Sequence, residues 1–370
     1  MTGTILTINT GSSSVKFQVF SNTPELSLLT RGKVSNLGTK PKFSTYDEIG
    51  QPNPPQFLEP NCNHEQAIYL ILNWIKQNND NHDIKAVAHR IVHGGTLFTQ
   101  STPVTPAMIN QLKRFNILAP LHQPHNLAAI EIIQHYQPHL PQIACFDTAF
   151  HAHHEPLFTT YALPKQLRDL GVRRYGFHGL SFEWIAYCLQ QDYPHLAKGR
   201  IVMAHLGNGA SLCAMNNGVS IDTTMGLTAL DGLPMGTRCG SLDPGALIYM
   251  LRNSGLSLDE IEQLLYNSSG LLGLSGLTND VKELQASNED SALFALDYFC
   301  LKVAQFIGMM AIAINGIDGI VFTGGIGENS ELIRTKILNQ IQCLQPFSTL
   351  ILPANEEKMM AMHTQALING

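Results

Sequence analysis

Three short segments of this sequence set glycine beside side chains able to hold oxyanions. The first runs from Asn9 to Lys16 and combines Gly11, the hydroxyls of Ser12 and Ser14, and one lysine. Glycine lets backbone approach a ligand, and amides, hydroxyls and an ammonium group hold phosphate oxygens. It is not a Walker A loop, because the GxxxxGK[ST] spacing is missing and a strand follows. The second segment is His205-Leu206-Gly207-Asn208-Gly209. The third, Gly324-Gly325-Ile326-Gly327-Glu328-Asn329, is predicted to link a strand to a helix, where free helix N–H groups favour an anion or nucleotide. Each alone also reads as an ordinary polar turn. Three in one chain point to a nucleotide.

Two arginines stand in similar company. Arg90 precedes His93-Gly94-Gly95, and Arg238 lies inside the glycine-containing run Met235–Gly240. A guanidinium there can grip a carboxylate or phosphate through two parallel hydrogen bonds, or it can form a structural ion pair. His178 lies between Phe177 and Gly179, where it is either a reacting group or a hydrogen-bonded core histidine. Asp147 ends the apolar run 141–146 and either orients a group or caps the next segment. His151, His153 and His154 suggest a metal, but side chains so close in sequence seldom converge on one ion.

These groups need elements to position them. Two β-rich runs, 4–9 and 15–20, read as a hairpin joined by the serine-rich turn, and apolar runs either side of Gly-Asn-Gly predict a second hairpin over 201–215. Helical spacing predicts helices over 65–77, 126–136, 293–314 and 330–342. A strand running into a glycine turn is expected over 86–95, strands over 141–146 and 319–323, and the glycine-rich segment 222–245 is irregular. Both halves open with a strand–turn–strand unit and continue as α/β, so two related domains with a cleft between them are expected. The boundary is placed near residue 148. With 370 residues and 44% hydrophobic side chains the chain can bury two cores. A net charge of −6 argues against a nucleic-acid partner. Seven cysteines without a CxxC pair suit reduced thiols. The N-terminus lacks the pattern of a secretory signal, and the apolar stretch 293–314 is interrupted by Asp297, Lys302 and Gln305. A cytoplasmic protein with no membrane partner is expected.

Eight blocks then carry a specific likeness: NTGSSSVKF (9–17), HRIVHGG (89–95), APLHQPHN (119–126), FDTAFH (146–151), RRYGFHG (173–179), HLGNGAS (205–211), GLPMGTRCG (232–240) and FTGGIGENS (322–330). In order and nearly across the whole chain, they resemble the acetate kinase family. The resemblance implies two duplicated actin/ribonuclease-H-like α/β domains with a nucleotide cleft, one of 1–148 plus 358–370 and one of 149–357, and a homodimer. It implies that Arg90 holds the acyl carboxylate, that Arg238 and His178 contact the transferring phosphoryl group, and that Asp147 is catalytic. It places ATP or ADP on Ser12, Ser14, Lys16, His205 to Gly209, Asp280, Val281, Lys282 and Gly325 to Asn329. Asn9 and Glu356 would hold Mg²⁺, with Mn²⁺ as an alternative, and Val92, Leu121, Phe177 and Ala229 would form the acyl pocket.

That chemistry suits the residue types. A carboxylate is already an anionic nucleophile at neutral pH, so no base is needed. The obstacles are repulsion from the polyphosphate and charge on the equatorial oxygens, which two arginines, a histidine and Mg²⁺ would relieve. Asp147 is therefore expected to orient Arg90 or the Mg²⁺ hydration shell rather than act as a base. The chain departs from the usual family pattern at Leu180, Phe182 and Ala229, carries lysine at 282 where arginine is common, and is somewhat short. Ala229 leaves room for a longer acyl chain. The readings to be separated are acetate kinase (reversible transfer between ATP and acetate giving acetyl phosphate and ADP), a propionate or other short-chain fatty acid kinase, and an inactive nucleotide-binding regulator of the same fold.

Overall fold

The computed structural model describes residues 3–47, 49–78, 83–120 and 122–369. The chain divides into two compact units, Met1–Phe150 with Asn355–Gly370, and His151–Ala354. The return to the first unit thus comes at Asn355, before the expected residue 358. The reason is local: Asn355 Oδ1 accepts from the Lys358 amide at 3.0 Å, so the helix Glu356–Asn369 stays with the residue that starts it.

In the first unit the strands are β1 (Thr4–Gly11), β2 (Ser14–Ser21), β3 (Leu28–Ser35), β4 (Lys42–Tyr46), β5 (Gln56–Phe57), β6 (Ile84–Ile91), β7 (Thr102–Pro103) and β8 (Gln142–Phe146). They form one sheet in the order β5-β4-β3-β2-β1-β6-β8-β7. β1 to β3 are antiparallel, and β6 and β8 run parallel to β1. The pleat explains the sequence pattern: Val15, Phe17 and Val19 point inward while Lys16 points to solvent. Leu6 and Ile8 face the helices His64–Asn78 and Gln123–Tyr136, which contribute Ile68, Ile71, Ala129 and Ile133 to one core. Ile5 and Phe20, on the other face, meet Ala361 of the helix Glu356–Asn369.

The second unit contains β9 (Arg200–Leu206), β10 (Ala210–Asn216), β11 (Val219–Thr223), β12 (Gly319–Thr323) and β13 (Ser348–Ile351), ordered β11-β10-β9-β12-β13. β9 to β11 are antiparallel, and β12 and β13 are parallel to β9. This repeats β3-β2-β1-β6-β8 strand for strand. The two units are duplicated ribonuclease-H-like α/β folds. The helix Asp290–Ala313 is, among the described residues, the one long and apolar enough to cross a membrane. It packs on β9, β10 and β11 and buries Ala295, Phe299, Val303, Ile307 and Met310.

One local expectation fails. Gly324–Asn329 is a helix that starts directly after β12, not a loop. Glu328 folds back so that Oε1 accepts from the Gly324 amide at 2.9 Å, and it also accepts from the Ala354 amide at 3.0 Å. The side chain thereby takes an N–H group that the sequence reading left free for an anion.

Candidate active site

In the first unit the serine-rich segment is the tip of the β1–β2 hairpin, with Gly11 opposite Ser14 and Asn9 opposite Lys16. Two side chains brace that tip. His64 Nε2 is hydrogen-bonded to the Gly11 carbonyl at 2.8 Å, and Asn126 Nδ2 donates to the Thr10 carbonyl at 2.7 Å. Asn126 Oδ1 also accepts from the Val92 amide at 3.1 Å, so one buried amide ties the hairpin to the end of β6. Arg90 sits there. Its Nε donates to both Asp147 oxygens at 3.0 and 3.1 Å, and Nη2 donates to Oδ2 at 2.9 Å.

The electrostatics of this group follow from burial and crowding. Burial works against the charged Arg90 guanidinium, but Asp147, Glu356 and Glu357 outweigh it and raise Arg90 above its ordinary value. Burial pushes the Asp147 carboxyl upward, Arg90 pulls it back, and Glu356 adds a further push. Burial likewise raises Glu357, Glu356 adds to this, and Arg90 and Lys16 oppose it. Three carboxylates thus gather near two cations. Asn9 and Glu356 offer the hard oxygen donors that Mg²⁺ accepts, and that ion commonly uses one or two protein ligands beside water and phosphate. Among the described residues no group of three or more His, Cys, Asp or Glu side chains could hold a metal ion.

In the second unit, eight of the residues expected to hold the nucleotide line one pocket of about 660 Å³: Gly207, Asn208, Asp280, Val281, Lys282, Gly325, Ile326 and Asn329. Helical periodicity explains the choice within the last segment. Residues 325, 326 and 329 share the pocket side of the short helix, while Gly327 is buried and Glu328 serves the backbone. Gly327, Glu328, His205, Leu206 and Gly209 are not in the lining. Asp280 caps the helix Val281–Ala286, Oδ1 accepting from the Lys282 amide at 2.7 Å. The sequence reading missed Asn279, Gln285 and Ser330, which complete the wall. Asn279 Nδ2 donates to Asn208 Oδ1 at 2.8 Å, and its place beside Asp280 was the available signal.

His178 and Arg238 meet over Gly209. A Cβ on that glycine would lie 2.8 Å from Arg238 Nη2 and 3.2 Å from His178 Nε2, so a side chain there would push the guanidinium from this position. His178 Nδ1 is hydrogen-bonded to Ser211 Oγ at 2.8 Å, and its ring stacks on His205 at 4.4 Å. Arg238 Nη1 donates to the Ala229 carbonyl at 2.7 Å. Burial depresses the Arg238 guanidinium, partly offset by Tyr266. Among the described residues no carboxylate forms an ion pair with it.

The model of the Acetokinase family matches residues 4–361. The chain belongs to that family. It is 42% identical to an acetate kinase of Rhodopseudomonas palustris (strain ATCC BAA-98 / CGA009), over the whole of both chains. It is 38% identical to a propionate kinase of Enterobacter sp. (strain 638), over 97% of this chain and 95% of the relative. Among solved structures, a propionate kinase from Francisella tularensis subsp. tularensis SCHU S4 superposes with a TM-score of 0.92 at 35% identity, covering 98% of each chain. Porphyromonas gingivalis acetate kinase gives 0.88 at 32% identity, covering 99% of this chain and 100% of that one.

For this acetokinase-family chain the expected acyl-pocket positions divide by unit. Val92 follows β6 in the first unit, whereas Phe177 and Ala229 belong to the second. Leu121 lies outside the described residues. Leu180 and Phe182, two departures from the usual pattern, are core residues at 1% and 0% exposure. His151 and His154 both bond Ser220 Oγ.

Proposed function

We propose that this chain is an acetate kinase that moves a phosphoryl group reversibly and in line between ATP and acetate, giving acetyl phosphate and ADP. The observation that carries the phosphoryl-transfer reading is Arg238. It is a guanidinium with no carboxylate among the described residues paired to it, set over Gly209 beside His178, one residue from the Gly207–Asn208 pocket wall. A cation so placed is completed by an anion.

The roles follow from the same residue types. The second-unit pocket takes the nucleotide, and in the first unit the hairpin residues Ser12, Ser14 and Lys16 are the phosphate-binding groups. Arg90, held at a fixed angle by Asp147, grips the acyl carboxylate. Arg238 and His178 neutralise charge on the equatorial oxygens of the transferring group. Asn9 and Glu356 would hold Mg²⁺, which supplies countercharge to the polyphosphate when bound. Both Asp147 oxygens accept from Arg90, which suits a positioning role and leaves proton abstraction to no residue, as a carboxylate substrate requires.

We further propose a cytoplasmic homodimer. The helix Asp290–Ala313 leaves Leu293, Phe294, Leu301, Met309 and Ile312 exposed, and a second copy of the chain is the occupant that suits this apolar strip.

A second reading, propionate as the preferred acid, is favoured by Ala229 and by the similarity to propionate kinases. One methylene in an apolar pocket is worth about 1–3 kcal/mol, so the two acids need not be sharply separated. Hydroxamate-trapped turnover with ATP, Mg²⁺ and C2 to C4 acids tests both. The highest kcat/KM is expected with acetate. A maximum at propionate selects the second reading, and no turnover with intact ATP binding selects a regulatory protein.

A further inference from the structure

The mechanism above leaves unused a buried polar cluster in the second unit. Ser220 of β11 stands at its centre, 4% exposed. Its Oγ lies 2.8 Å from His151 Nδ1, 2.7 Å from His154 Nε2 and 3.2 Å from Cys213 Sγ. His151 Nε2 lies 3.1 Å from the Phe177 carbonyl.

Valence fixes the direction of these bonds. A carbonyl only accepts, so His151 Nε2 carries the proton. Burial holds the His151 imidazole neutral, its pKa lowered to about 4 despite the Phe177 bond, so Nδ1 is an acceptor. The single Ser220 proton therefore points at His151 Nδ1, and His154 Nε2 must donate to Ser220. Burial pushes the Cys213 thiol up to about 12, leaving it protonated as a second donor. Ser220 then donates once and accepts twice.

We propose that His151 is a positioning residue for His178, acting through the Phe177 carbonyl at the end of a His154–Ser220–His151 relay. The inference rests on the reading of His178 as a phosphoryl contact. Backbone geometry carries it. Gly176 has φ 81° and His178 has φ 57°, so two residues flanking Phe177 are left-handed, and one of them is not glycine. The segment wraps the imidazole closely: a Cβ on Gly176 would sit 2.8 Å from His151 Cδ2. Phe182 closes the ring edge at 5.7 Å. His154 Nδ1 is buried with no hydrogen-bond partner, a cost that a core shaped for stability alone would avoid with an apolar side chain.

The test combines imidazole nitrogen NMR with kinetics of His151→Gln, His151→Leu and Ser220→Ala. In the parent enzyme His151 is expected as a single neutral Nε2–H tautomer from pH 5.5 to 8. H151L should lose about tenfold or more in kcat, because small misplacements of reacting groups act at that scale, with KM for ATP within about twofold. H151Q, whose amide still donates to the carbonyl, should recover most of it. An Nδ1–H tautomer, an H151L enzyme with parent kcat, or an H151Q enzyme no better than H151L would each overturn the relay. Should H151L fail to fold, S220A decides: loss of the single tautomer with lowered kcat is expected, and parent values for both defeat the idea. The tautomer needs no turnover, so inactivity of the parent enzyme toward acetate would count against the kinase reading alone.

Discussion

At the residue scale, the chemistry assigned to Arg90 depends on which way its guanidinium points, and Asp147 decides that through three hydrogen bonds. Asp147→Asn keeps the shape but removes the charge. Its kcat is expected to fall roughly 10²- to 10³-fold, the scale for losing one preorganised electrostatic contact, with KM for ATP little changed. The pH profile of kcat should keep its shape; a vanished limb would show that Asp147 exchanges protons with the substrate. Glu357 makes a prediction of the opposite sign for stability. Burial and Glu356 raise its folded-state pKa above the ordinary value of 4.5, so the ionised form costs stability at neutral pH. Glu357→Gln should therefore raise Tm at pH 7. The gain should shrink as pH falls through the raised folded value and disappear below the ordinary value, where the carboxyl is protonated folded or unfolded. A gain that persists at pH 3 would mean that charge is not the cause.

At the element scale, Asn126 on the helix Gln123–Tyr136 joins the end of β1 to the residue that follows β6 by its amide, one contact on each. Asn126→Ala leaves a buried carbonyl and a buried N–H unpaired, and an unmet buried group costs about 1–3 kcal/mol. Urea denaturation should show a loss of that order, with kcat reduced as the hairpin tip and β6 lose register. A variant as stable and active as the parent would show that water replaces both contacts. Asn126 was not singled out by sequence, because a side chain spanning 116 residues of separation leaves no local periodicity. The β1–β2 and β9–β10 hairpins were legible, since in each two strand-forming runs flank a turn of small residues. The helical state of Gly324–Asn329 was not, because three glycines oppose a helix and the bonds that hold its start, Glu328 to the Gly324 amide and Asn329 to the Gly325 carbonyl, carry no sequence pattern of their own. The pocket residues Asp280 and Lys282 were legible only by resemblance, whereas the structure explains them by a capped helix start on the pocket wall.

At the scale of the whole molecule, the proposed dimer rests on the exposed apolar strip of the helix Asp290–Ala313. Ile312 is 82% exposed there. Ile312→Glu should convert the dimer to a monomer in sedimentation experiments while sparing the fold of each unit, and an unchanged sedimentation coefficient would move the interface elsewhere. The duplicated strand order also makes the molecule legible as two halves, although their equal topology hides in unequal sequence: β2 alternates buried and more exposed residues, while β1, β9 and β10 are buried almost throughout. The division of the chain has a consequence for how the protein is made. The second unit is one uninterrupted stretch, His151–Ala354, whereas the first waits for a helix encoded after it. Ile5 and Phe20 find their partner Ala361 only once that helix has left the ribosome. During synthesis the half that begins first is thus completed after the other, and its Ile5 face stays uncovered until the helix Glu356–Asn369 has been made.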